Sequence, residues 1–165
     1  MKQIVLLSDT HNSLDERFFS YFDKADEIWH AGDIGNLSVS NKLQEFTLLR
    51  AVWGNIDNTN IRAEFKETLC FECEEVKVLM THIGGYPGKY AGKIHSIIKK
   101  EKPDLFISGH SHILKVIYDK NYNLLHMNPG ASGNHGIHKV KTILIFKIIG
   151  SKIKDLKVIE LTRKN

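Results

Sequence analysis

Five short fragments constrain this chain more than anything else in it. They are Asp9-Thr10-His11, Gly32-Asp33, Gly54-Asn55-Ile56-Asp57, Thr81-His82 and Gly109-His110-Ser111-His112. Each follows a short apolar run that reads as a buried strand. Each ends in Asp, His or Asn, side chains that ligate divalent metals. Strand, then turn, then ligand, repeated in this way, gathers the ligands on loops at one edge of a β-structure. Glycines at 32, 54, 84 and 109 stand beside them and permit tight turns.

The rest of the chain alternates helix and strand patterns before changing to strands alone. Strand-like runs cover Ile4 to Ser8, Ile28 to Ala31, Leu48 to Trp53, Phe65 to Phe71, Val76 to Thr81 and Leu105 to Ser108. Helical spacing covers Leu14 to Ala25, Ser38 to Phe46 (with Ser38 or Ser40 as cap) and Tyr90 to Lys100, with Pro103 closing the exit. From Ile113 onward, Ile113–Asp119, Tyr122–Met127, Val140–Ile149 and Ile153–Leu161 read as consecutive strands. No repeat or linker interrupts the pattern, so one mixed α/β domain over residues 1–165 is expected.

Composition narrows the setting. No apolar run reaches the roughly 18–20 residues of a membrane helix, and the start leads directly into Asp9, unlike a signal peptide. A cytoplasmic location is the expectation, with no membrane partner. The net charge of +4 suits an anionic substrate. Lys and Arg are dispersed, which gives no strong nucleic-acid signal. The lysine-rich stretch from Lys139 to Lys164 alternates with apolar residues and reads as a half-solvated sheet. Cys70 and Cys73 form a lone C-x-x-C without the second pair a zinc ribbon needs, so both read as packing or turn residues.

Asp9, Asp33, Asn55, His82 and His110 stand at carboxyl ends of strands, where α/β sheets place their functional groups. Carboxylate, imidazole and carboxamide without thiolate suit Mn²⁺, Fe, Zn²⁺, Co²⁺ or Ni²⁺ rather than a pure Ca²⁺ or Mg²⁺ site. Two such ions, bridged by an acidic group, are a device for attacking phosphate esters.

In order and spacing, the fragments resemble those of the calcineurin-like metallophosphoesterase superfamily, closest to its small bacterial and archaeal phosphodiesterase branch. The resemblance runs from Asp9 to Asn128-Pro129-Gly130. It implies a four-layer α-β-β-α sandwich, two packed mixed β-sheets flanked by helices. It implies two divalent transition metal ions, with Mn²⁺ first in rank. Asp9, His11 and His112 would bind one, Asn55, His82 and His110 the other, and Asp33 would bridge them. The implied activity is hydrolysis of small phosphodiesters by a metal-bridging hydroxide, with Asp33, Asn55, His82 and Asp57 as the catalytic set. The alternative is a metal-binding scaffold of the same fold with little or no turnover, for the superfamily contains a retromer subunit of that kind. A homo-oligomer is compatible with either.

Two positions depart from the family pattern. Ile56 stands where the larger phosphatases carry a His that stabilises the transition state or protonates the leaving group, and an alkyl group does neither. Ile83 follows His82 where Gly is common. Diesters with good leaving groups are therefore expected to react most readily. Asp57, His135 and His138 are candidates to supply the missing acid, although Asp57 also suits a role orienting a ligand. Tyr86, Lys89, His135 and His138 are candidates to contact substrate. His30 reads as a core or supporting residue, and His95 and His126 carry no expected role.

Overall fold

The computed structural model describes residues 1–163. Among the described residues, twelve strands and four α-helices follow the chain. The first sheet contains β1 (Lys2–Leu7), β2 (Glu27–His30), β3 (Leu48–Ala51), β11 (Val140–Ile149) and β12 (Lys152–Thr162) in the order β12-β11-β1-β2-β3. The second contains β4 (Thr68–Cys73), β5 (Val76–Thr81), β8 (Leu105–Ile107), β9 (Leu114–Asp119) and β10 (Leu124–Pro129) in the order β4-β5-β8-β10-β9. β1, β2 and β3 are mutually parallel, as are β5, β8 and β10, while β11, β12, β4 and β9 pair antiparallel. A small hairpin, β6 (Gly85–Tyr86) with β7 (Lys89–Tyr90), lies between.

Strand periodicity explains the layering. In β1, Ile4 and Leu6 enter the core between the sheets, and Val5 and Leu7 enter a second core under the helices. In β5, Val78 and Met80 face the first sheet while Leu79 faces the opposite way. A strand covered on both faces must be apolar at every position, which is why these runs do not alternate. Helices α1 (Phe19–Phe22), α2 (Leu37–Phe46) and α3 (Thr59–Glu64) lie on the first sheet's outer side through Phe22, Val39, Leu43 and Ile61. Helix α4 (Gly92–Glu101) covers the second sheet with Ile94 and Ile98, one turn apart. The result is two packed mixed sheets flanked by helices, the four-layer sandwich expected.

Several boundaries differ from the sequence expectation. The helix expected over Leu14–Ala25 is a 3₁₀ turn at Glu16–Phe18 running into the single turn of α1. Asp15 accepts the Arg17 N–H and so caps the chain one residue after the expected start. Helix α2 is capped by Asn36, not by Ser38 or Ser40, through the Ser38 N–H. The run Phe65–Phe71 becomes strand only at Thr68, because the Asn58-capped α3 occupies Thr59–Glu64 and Val52 meets Lys66 in one isolated bridge. Cys73 packs between the sheets, whereas Cys70, three residues earlier on the strand, is exposed.

His30 and His126 are fully enclosed, and burial pushes both pKa values down to about 4. An unfolded chain takes up a proton on each His near pH 6.5 that the folded chain refuses. Stability present above pH 6.5 is therefore lost as pH falls toward 4, by up to about 1.4 kcal/mol per pH unit per group. Urea midpoints measured from pH 7.5 to 4.5 should fall more steeply in the wild type than in H126F; parallel slopes would contradict this.

Candidate metal centre

The site forms where the carboxyl ends of both sheets meet. The first sheet's loops carry Asp9 and His11 after β1, Asp33 after β2 and Asn55 after β3; the second sheet's carry His82 after β5 and His110 and His112 after β8. The loop after β1 is zipped to the loop after β2 by N–H groups of Asp9, His11 and Asn12 donating to carbonyls of Gly32, Asp33 and Ile34 at 2.9, 3.0 and 3.1 Å. Behind them, the Gly32 N–H donates to His30 Nδ1 at 3.2 Å. That fixes the ring proton on Nε2, which donates to Thr10 Oγ1 at 3.0 Å, and Thr10 donates onward to the Ile34 carbonyl at 2.8 Å. His30 is thus a supporting residue.

Bonds between the sheets are as direct. His82 Nδ1 donates to the Ala31 carbonyl at 2.8 Å, which leaves Nε2 with a free lone pair. Asp9 Oδ2 accepts the His110 N–H at 3.1 Å and the Ser8 hydroxyl at 2.7 Å. A Cβ at Gly109 would lie 2.2 Å from Ser8 Oγ, so only glycine lets the second sheet's loop approach this closely. Asp9, His11, Asp33, His110 and His112 all have positive φ, between 44° and 70°. Such backbone strain collects at functional sites.

Two groups of donors result, Asp9 with His11 and His112, and Asp33 with His82 and His110, the atoms of each lying within 4.8 Å of one another. Asp33 Oδ2 stands 3.4 Å from His11 Nε2 and 3.2 Å from His82 Nε2, so it lies between the groups. His112 Nε2 is 3.1 Å from Asp9 Oδ1. Ligands held about 2.1 Å from one ion sit roughly 3–3.5 Å apart, which these spacings match. Asp9 Oδ1, His11 Nε2 and His82 Nε2 are buried without a hydrogen-bond partner among the described residues. Unpaired buried polar atoms are costly, and a cation in each group would satisfy all three.

The electrostatics agree. Burial opposes ionisation of Asp9, yet contacts with His11, His112, His82 and Ser8 hold its carboxyl well below the usual carboxylate range. Asp33 is likewise lowered against its burial, chiefly by His82. His82 is raised by Asp33 and Asp9 despite burial, and His112 is raised by Asp9. Two carboxylates this deep attract positive charge, which protons or a divalent ion can supply.

The remaining candidates separate. Asn55 is exposed on its loop, its main-chain carbonyl accepting from Arg62 at 3.2 Å. Ile56, 43% exposed, donates its N–H to Asp33 Oδ1 at 3.1 Å and so holds that carboxylate through the backbone. Asp57 is buried, and its oxygens accept the N–H groups of Gly54, Gly35 and Ile34 at 2.7, 2.8 and 3.1 Å. Its carboxylate ties two loops together. His138 donates Nε2–H to the Gly133 carbonyl at 2.9 Å, whereas His135 is exposed and stacks on His11 with ring centroids 4.6 Å apart. Arg62, which also donates to the Asp57 carbonyl at 2.7 Å, had no sequence signal.

Two cavities flank this centre. One of about 310 Å³ borders His110 and includes Tyr86 and Lys89. One of about 180 Å³ borders Asn55 and His82 and includes Trp53, on whose face the Arg62 guanidinium sits at 4.2 Å. Ile83 lines both.

The calcineurin-like phosphoesterase superfamily domain matches residues 1–150, and the chain belongs to that superfamily. Among its relatives is the probable metallophosphoesterase MJ0623 of Methanocaldococcus jannaschii, 31% identical over 134 residues, covering 78% of this chain and 67% of that protein. Two solved structures share the fold. A single mutant of Vps29 from Entamoeba histolytica superposes with a TM-score of 0.76 at 14% identity, over 98% of this chain and 99% of the other. A structure described as a novel archaeal phosphodiesterase gives 0.68 at 21% identity, over 95% and 99%. The chain is thus a metallophosphoesterase-family protein with two candidate metal-binding groups.

The Asp57 bonds set a measurable cost. D57N replaces one accepting oxygen by an NH₂ group facing backbone N–H donors, which should destabilise the fold by about 1–3 kcal/mol. Thermal unfolding of the metal-free protein checks this, and an unchanged midpoint would contradict the assigned role.

Proposed function

We propose that this chain is a phosphodiesterase dependent on two divalent ions, with Mn²⁺ the first choice. Asp9, His11 and His112 would hold one ion, Asn55, His82 and His110 the other, and Asp33 would be shared. The observation that carries the reading is the convergence of His11 Nε2 and His82 Nε2 on both Asp33 Oδ2 and Asp9 Oδ1, with the two imidazole nitrogens and Asp9 Oδ1 buried and unpartnered among the described residues. When bound, such ions supply Lewis acidity at the phosphoryl oxygens and acidify a water for attack on phosphorus.

The chain's own residues set the terms of that chemistry. The Ala31 carbonyl holds the His82 ring so that Nε2 faces the site, and the Ile56 N–H orients Asp33. Asp57 positions the loops that carry Asp33 and Asn55. His135, lying on His11, is the residue of its loop best placed to touch substrate, while His138 shapes the loop from within. Ile56 itself offers no proton, so turnover should depend strongly on the leaving group's own stability as an anion. The two cavities, one on each side of the second donor group, favour a phosphorus bearing two organic arms over a monoester.

A second reading is kept because of the likeness to Vps29 and the exposed Ile56: a scaffold that binds metal with little turnover. One experiment separates the two. With Mn²⁺ present, the wild type should cleave bis-p-nitrophenyl phosphate faster than p-nitrophenyl phosphate. D33N should lose more than about a hundredfold of that rate, with an unchanged circular dichroism spectrum. Metal uptake without turnover would favour the scaffold, and no binding of any transition metal at micromolar levels would overturn both.

A further inference from the structure

The two five-stranded sheets end in four edge strands, and β9 is the one without protection. β12 is bulged and carries exposed Lys152, Lys154 and Lys157. β4 presents exposed Cys70 and Glu72, and the end of β3 is covered where Val52 pairs with Lys66. β9 pairs with β10 in an unbroken register from Leu114 to Asp119, with no proline and no positive φ. Val116, Ile117 and Tyr118 stand in a row along it at 37%, 41% and 54% exposure. An even, apolar, uncovered edge is a template for another strand, and native chains blunt such an edge unless a partner covers it.

The main chain fixes which groups face outward. The Leu125 N–H donates to the Asp104 carbonyl and the Met127 carbonyl accepts the Ser108 N–H, so these two residues of β10 bond toward β8. Backbone groups alternate sides along a strand, so Leu124, His126 and Asn128 turn theirs toward Asp119, Ile117 and Lys115 of β9. Leu114, Val116 and Tyr118 therefore hold their N–H and C=O groups toward the free edge. An antiparallel copy of β9 must set these outward residues opposite one another. With Val116 opposite Tyr118 of the second copy, Ile117 meets its own counterpart and Lys115 falls across from Asp119. A β-branched residue then faces an aromatic one, apolar faces apolar, and no like charges meet. The neighbouring registers of the same parity put Val116 or Tyr118 on the axis and set Ile117 against Lys115 or Asp119. Leu-Lys-Val-Ile-Tyr-Asp is thus complementary to its own reverse.

We propose that β9 pairs antiparallel with β9 of a second copy of this chain, about a two-fold axis through Ile117. The second sheets then join into one of ten strands, five from each copy. The pairing uses no metal and stands apart from the phosphodiesterase reading.

Sedimentation equilibrium of the full chain from about 1 to about 300 µM should show monomer passing to dimer, with a Kd on the order of 10 µM, because a strand pair is a small interface. V116P removes an outward N–H without breaking a bond to β10, and I117K brings two like charges together on the axis. Each should weaken association by at least about tenfold, with an unchanged circular dichroism spectrum. The register has its own readout. Ile117 of each copy falls in a non-hydrogen-bonded pair with Cα atoms about 4.5 Å apart, within reach of a disulfide. Exposed Cys70 is first removed by C70S. In that background I117C should cross-link into a dimer on mild oxidation, well ahead of V116C or of L48C on the opposite sheet. A monomer at every concentration overturns the proposal. A dimer that survives both V116P and I117K, or that cross-links through V116C in preference to I117C, overturns it as well.

Discussion

The structure turns on a carboxylate buried where two sheets meet. Asp9 is fully enclosed, and its oxygens and backbone bind in several directions at once. Its N–H reaches the Gly32 carbonyl, its carbonyl accepts the Gly133 N–H, and Oδ2 takes both the Ser8 hydroxyl and the His110 N–H. These bonds join the loops after β1, β2, β8 and β10, which belong to different sheets. Only Oδ1 is left over among the described residues, and it faces His112 and His11. A charge at this depth survives only when it is paired. The same residue therefore sets the relation between the sheets and creates the demand for positive charge at the centre.

Much of this was legible in the sequence because strand ends and ligand types coincide. A strand covered on both faces is apolar throughout, so the residue at which it stops being apolar is the first one in the loop. That makes Asp9 and His82 visible as loop residues without any structure. The run Val140–Ile149 matches its strand to the residue for a related reason, since ten residues are enough to fix their own ends. What stayed hidden depends on contacts distant in the chain. Helix α3 is too short to display a period, with Ile61 its only buried residue. Two of the three bonds of Asp57 run to N–H groups of Ile34 and Gly35, more than twenty residues away, so the local bond to Gly54 alone does not reveal a tie between loops. His126 sits in a strand pattern that looks ordinary, and only the fold shows that its ring reaches a cavity wall.

The two departures from the family pattern acquire physical content. Ile56 gives up side-chain chemistry but keeps its backbone N–H on Asp33, so the centre can be intact while proton donation is missing. Ile83 does not reshape the donors, since His82 remains anchored to Ala31; it stands as a wall between two clefts. Both side chains thus lie beside the donor groups, and neither displaces the backbone contacts that hold Asp33 and His82.

The last strand has a consequence of another kind. β12 forms a long outer edge of the first sheet, and across from Phe146 it carries the extra residue of a bulge, with Asp155 at φ 54°. The bulge changes which face the strand buries: Ile153 joins the core between the sheets, whereas Ile159 and Leu161 join the one under the helices. It also bends the edge, and exposed Lys152, Lys154 and Lys157 line it. A second chain aligning there would meet a kinked ladder and charged side chains, Asp155 among the lysines. Bulges and charged side chains at a sheet edge disfavour pairing with a further strand.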